Sequence, residues 1–168
     1  VLIVYANNDL SKTNLSKEIE LRGVDPIRLI FGNSLPKPEY LARYRTADLF
    51  LDTHPYNAGT TASDALKMGL PMLTMIGQSY QARMGASILT SINLPELITN
   101  SPEEYEALAI ELATNPEKLK AIKEKLASNL TSAPLYNTKL FTKNLESAYT
   151  TMYQRHQKGL EPDHIYVD

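Results

Sequence analysis

Through residue 99 the chain alternates short apolar runs with segments that carry a helical pattern of apolar residues, and this alternation constrains the fold more than any other feature. The runs are "VLIVYA" (1–6), "IRLIFG" (27–32), "DLFLDT" (48–53), "PMLTMIG" (71–77) and the brief "PELIT" (95–99). Each has the length and β-branched or aromatic content of a strand. Between them, Leu15, Ile19 and Leu21 share a helix face that ends at Gly23, and "PKPEYLARYRTA" (36–47) opens a second helix on prolines. "TASDALKMG" (61–69) is closed by Gly69 with Pro71 beyond, and "YQARMGASILTSI" (80–92) sets Ala82, Gly85, Ala86 and Leu89 at close-packing spacings. Strands that return after helical crossovers pair in parallel, so the expectation is an α/β fold with a parallel sheet and helices on both faces.

From Ser101 the pattern is helical only. Ser101, Pro102 and Glu104 form a capping box ahead of a helix with Tyr105, Leu108, Ala109 and Leu112 on one face. Asn115-Pro116 starts a lysine-rich helix, and residues 137–159 form a long terminal helix with an apolar stripe of Leu140, Phe141, Leu145, Ala148, Tyr149, Met152 and Tyr153. A length of 168 residues is read as a single domain over 1–168, and the start on an apolar run without an initiator Met reads as a piece of a longer protein.

Composition removes several functions. With 17 basic against 19 acidic residues there is no overall field for nucleic acid or an anionic membrane, so an anion site has to be local. The absence of cysteine removes disulfides and thiolate chemistry and fits a reducing, cytoplasmic compartment. His54, His156 and His164 form no ligand-spaced pair, so no metal is expected. No apolar run reaches the roughly 18–20 residues that span a bilayer.

The local anion site is sought in "THPYNAGTT" (53–61), because ligands of open parallel sheets bind beyond the carboxyl ends of the strands. Gly59 can take positive φ and leaves room for close approach. Thr60 and Thr61 bring hydroxyls and backbone amides to a helix start, where orphan donors and the macrodipole favour a phosphate. The plainer reading of the same residues is a capping box from Thr61 to Asp64. A second stretch, "NSLPKPEYLARYR" (33–45), places Lys37, Tyr40 and Arg43 three apart on one helix face, which offers charge for phosphate or ribose and a ring for a base. An ordinary amphipathic helix with a solvated basic edge has the same spacing.

The order of these motifs is specific. The succession "LPKPEYLARYRTADLFLDTHPYNAGTTASDALKMGLPMLTMIGQSYQARMGASIL", then "SAPLYNTKLFTKNLESAYTTMYQRHQKG" and finally "PDHI", resembles the C-terminal catalytic region of the O-GlcNAc transferase and SPINDLY glycosyltransferase family from about Arg22 to His164. The resemblance implies a Rossmann-like lobe, the C-terminal half of a GT-B glycosyltransferase, with tetratricopeptide repeats and an N-terminal lobe in the parent. It implies a donor site for a nucleotide sugar, a UDP-sugar, which passes to Ser or Thr of a protein acceptor with no cofactor or metal required. Carried over by motif, the backbone near Leu35 faces the base, Lys37 the ribose and diphosphate side, and Tyr40 stands where the family often has a base-stacking His. Arg43 flanks the base, Thr60 and Thr61 match the diphosphate-binding pair, and Asp64 matches the nearby carboxylate. Gly59 replaces a further family His. Two alternatives stay open, a related GT-B transferase with another donor such as GDP-fucose or another acceptor, and, given the two missing imidazoles, a non-catalytic nucleotide-sugar-binding module.

Overall fold

The computed structural model describes residues 1–6 and 8–167; Asn7, in the polar link after the first apolar run, and the terminal Asp168 lie outside the described residues. By its internal contacts the chain divides into two compact units, Val1–Tyr40 and Leu41–Asp168.

The first unit holds β1 (Leu2–Tyr5), α1 (Asp9–Leu21) and β2 (Leu29–Gly32). The strands pair in parallel with Leu2 opposite Leu29 and Tyr5 opposite Gly32. Asn8 caps α1 by accepting the Ser11 amide at 2.8 Å, so the helix begins well before the apolar positions that announced it. The run at 27–32 is a strand only from Leu29. Its first residues form a 3-10 turn (Pro26–Arg28), Leu29 is buried, and Ile30 is 48% exposed. The apolar face of α1 is also open, with Leu15 and Leu21 exposed.

The helix α2 (Lys37–Arg43) follows, and its last turn tightens into a 3-10 turn (Tyr44–Thr46). The second unit then lays down β3 (Phe50–Leu51), α3 (Thr60–Lys67), β4 (Met72–Met75), α4 (Tyr80–Ser91) and β5 (Ile98–Thr99). Its sheet runs β3-β4-β5, all parallel, as strands joined by helical crossovers require. Successive side chains Met72, Leu73 and Thr74 are all fully buried, so both faces of β4 are covered. Gly69, at φ +83°, ends α3 in the left-handed conformation, and Leu70 N–H returns to Ala65 O at 3.0 Å.

Three helices complete the second unit, α5 (Pro102–Thr114), α6 (Pro116–Ser132) and α7 (Thr138–Gln157). Each opens on the cap residue its sequence offers, Ser101, Asn115 and Asn137. The Ser101 box closes differently from expectation: Glu104 reaches back to the Asn100 amide at 2.8 Å, one residue earlier than the cap. The core packs Leu66, Met72, Leu89, Ile92, Leu94 and Leu97 against Leu112 and Leu126, all at 1% exposure or less. Each such side chain contributes about 1.5–3 kcal/mol relative to leaving it in water. Most of the stripe expected on α7 stays in solvent, with Phe141 64% and Tyr153 65% exposed, while Leu140 and Ala148 are half-buried.

Candidate functional site

The carboxyl end of β3 leads through residues 52–59 into α3, and an open cleft of about 330 Å³ lies there, lined by Phe50, Thr53, Tyr56, Ala58, Gly59 and Thr61 among others. Such a position, a loop between a parallel strand and a helix N-terminus, is where open α/β sheets take ligands. Gly59 is the N-cap of α3 and offers no side chain to its first turn. The first intrahelical bond is Ser63 N–H to Gly59 O at 3.0 Å, so the amides of Thr60, Thr61 and Ala62 precede the helical ladder. Thr60 and Thr61 are exposed.

Two sequence readings of this turn change. Gly59 has φ −105°, not a positive value, and a Cβ there would meet only Met84 Cγ at 3.8 Å, an ordinary contact. Neither backbone handedness nor internal crowding requires glycine, and its bareness leaves the outer side of the turn open. The Thr61–Asp64 capping box is also absent, because Thr61 is the second residue of the helix and Asp64 lies in the following turn, half-buried.

The loop is held from behind by residues that carried no site signal. Asp52 is 6% exposed, and its Oδ1 accepts the Thr53 amide at 2.9 Å and the Ala58 amide at 2.7 Å, while Oδ2 accepts the Thr74 hydroxyl at 2.6 Å. Burial pushes its carboxyl above the ordinary 3.8, against these three bonds and the nearby His54, which pull it down. Asn57, 2% exposed, donates through Nδ2 to Thr53 O at 2.8 Å. Thr53 Oγ1 donates to Tyr56 O at 2.6 Å. Tyr105 of α5 donates its hydroxyl to Asp52 O at 2.9 Å, and burial together with the Asp52 charge pushes that phenol up to about 12.

Two further phenols fasten the first turn of α3: Tyr44 donates to Thr61 O at 3.3 Å and Tyr136 to Ser63 O at 2.6 Å. Burial raises the Tyr136 phenol above its ordinary range, so it stays a donor at neutral pH. The structure therefore brings Gly59, Thr60, Thr61 and Asp64 together at one helix start. Arg43, the last residue of α2, adjoins Tyr44, which reaches that start. Leu35, Lys37 and Tyr40 belong to the first unit. There Lys37 Nζ sits 5.0 Å from the centroid of the Tyr40 ring, a cation–π contact on one face of the ring proposed to stack a base. From sequence, Asp52 could be suspected only as a polar residue closing an apolar strand and Asn57 only as a polar loop residue.

The sequence model for glycosyl transferase family 41 matches residues 2–145. The chain belongs to that family. Curated relatives agree with it. The UDP-N-acetylglucosamine–peptide N-acetylglucosaminyltransferase of Caenorhabditis elegans is 35% identical over 144 residues, which are 86% of this chain and 12% of that protein. The probable transferase SEC of Arabidopsis thaliana is 37% identical over 87% of this chain and 15% of its own length. Among solved structures, a mutant O-GlcNAc transferase of Thermobaculum terrenum superposes with a TM-score of 0.84 at 33% identity, over 90% of this chain and 30% of that one. That similarity supports the Rossmann-like α/β assignment to a family 41 chain. The chain thus spans only 12–15% of the length of these curated family 41 relatives. Among the described residues, no helix is long and apolar enough to cross a membrane, and no cluster of His, Asp or Glu is built to hold a metal.

Proposed function

We propose that this chain is the donor-binding part of a glycosyltransferase that moves N-acetylglucosamine from UDP-N-acetylglucosamine to Ser or Thr hydroxyls of proteins. The observation that carries the reading is the open start of α3, with three amides ahead of its helical ladder beside a cleft at the end of β3. Membership of family 41 and the donor and acceptor named in its relatives supply the chemistry. In the second unit, Gly59, Thr60, Thr61 and Asp64 serve the diphosphate, and Arg43 flanks the nucleotide. In the first unit, Leu35, Lys37 and Tyr40 serve the nucleoside side.

A sugar leaving a diphosphate places growing negative charge on the departing phosphate. Fixed amides at a helix start, which need no reorganisation, stabilise that charge more in the transition state than in the ground state. The acceptor hydroxyl and the group that takes its proton are assigned to other parts of a longer, cytoplasmic parent, which carries an N-terminal lobe and tetratricopeptide repeats. The donor chemistry itself calls on no metal from this chain.

Calorimetry of UDP and GDP against the full-length parent tests the reading. Lys37→Ala and Arg43→Ala should each weaken UDP binding by about 1–3 kcal/mol, the scale of a lost charge-assisted hydrogen bond. Unchanged UDP affinity in both variants, or tighter binding of GDP than UDP by the unsubstituted parent, overturns the assignment.

A further inference from the structure

Resting on the reading of the α3 start as the diphosphate end of the donor site, we propose that Asp52 is a positioning residue for donor binding. It acts without touching the donor, by fixing the loop that aims the first amides of α3. A single oxygen, Oδ1, receives amides from both ends of the loop, Thr53 at 2.9 Å and Ala58 at 2.7 Å. Ala58 directly precedes Gly59, so this bond fixes the chain two residues ahead of the Thr60 amide. The other oxygen is tied to Thr74 on β4 at 2.6 Å, and Thr74 O accepts the Thr99 hydroxyl of β5 at 3.0 Å. The anchor therefore runs through all three strands of the sheet. Helix α4 leaves space for it only because Gly85 has no side chain there: a Cβ would lie 2.6 Å from Asp52 Oδ2.

A buried negative charge beneath an anion site works against the anion, so charge is not what Asp52 contributes. Its contribution is the geometry of one acceptor shared by two amides. That distinction separates the variants. Asp52→Asn keeps a carbonyl oxygen for both amides, turns its NH₂ toward the Thr74 oxygen and removes the charge. Asp52→Ala removes the acceptor and leaves two amides without a partner.

The test uses the full-length parent with UDP followed by calorimetry and uridine, which has no phosphate, followed by ligand-detected NMR. Asp52→Ala should bind UDP at least tenfold more weakly with uridine binding unchanged, and Asp52→Asn should stay within threefold of the unsubstituted protein. Should Asp52→Ala not fold, Asn57→Ala, which frees the same loop from Thr53 O and from the Gly85 amide, is expected to show the same selective loss. UDP affinity within threefold of normal in the Ala variant, or equal losses for UDP and uridine, overturns the proposal. If Lys37→Ala and Arg43→Ala weaken UDP binding while the Asp52 variants do not, only the positioning role falls. If the unsubstituted parent binds no UDP, the donor-site reading falls with it.

Discussion

Gly85→Ala is the sharpest test of how the loop is supported. Gly85 lies in the interior of α4, where alanine is ordinarily preferred by about 1 kcal/mol, so on helix propensity alone the substitution stabilises. The packing predicts the opposite. The new Cβ would stand 2.6 Å from Asp52 Oδ2 and 3.0 Å from Thr74 Cβ, and closer still to Thr74 Oγ1. Ordinary contact begins near 3.4 Å, so to clear the nearest atom, Thr74 Oγ1, α4 has to retreat by roughly 1 Å or the pair beneath it has to move. Neither neighbour is free to do so: Thr74 is fully buried and β-branched, and Asp52 is held by three hydrogen bonds. Overpacking of this kind costs about 1–3 kcal/mol, and a rigid surround puts it at the upper end. Set against the propensity gain, the net loss is about 1–2 kcal/mol. For a protein of this size that lowers Tm by roughly 2–8 °C, read by differential scanning calorimetry. A Tm equal to or above that of the unsubstituted protein would refute the argument that glycine is required by the Asp52–Thr74 pair.

Gly59→Ala should leave the fold intact, since φ is negative and the nearest atom is 3.8 Å away, and should weaken UDP binding while uridine binding is unchanged; a stability loss beyond about 1 kcal/mol without that selectivity removes the ligand-side explanation. Tyr105→Phe deletes the bond to Asp52 O and should cost about 1 kcal/mol in urea unfolding. In the unsubstituted protein, absorbance titration should show one phenol ionising near 12, missing from the Tyr105 variant. Asp52 has its folded carboxyl raised above 3.8, so its titration contributes stability below 3.8 that is lost as pH rises through the folded value. The stability of the unsubstituted protein relative to Asp52→Asn should fall across that window and flatten by neutral pH; a difference that does not change with pH contradicts the burial argument.

The elements were legible where a local pattern carried them. Short apolar runs gave the strands, and Ser101, Asn115 and Gly69 marked helix ends because caps are made within a few residues of sequence. Burial was less legible. The run at 27–32 is as apolar as the one at 71–77, yet Ile30 is exposed and Leu73 is not, because burial depends on what packs against a strand. At the site, the helix start and its two threonines were readable, but Thr61 was placed in a cap that Gly59 occupies instead. Asp52 was hidden for a physical reason: its partners lie 6 and 22 residues further on, and the Tyr105 hydroxyl that meets its carbonyl comes 53 residues later. A carboxylate at the end of an apolar run looks like the beginning of a solvated loop until those donors are folded onto it.

The order β3-β4-β5 carries a consequence for how the second unit is made on the ribosome. Each strand pairs with the one synthesised just before it, so no strand has to be threaded between two already joined. The sheet can grow at one edge as the nascent chain emerges, and every loop closure spans a single helix. The loop after β3 fits this schedule. Asp52 is synthesised before Thr74 and is solvated until β4 docks, then loses its water in the same step that gives it the Thr74 hydroxyl.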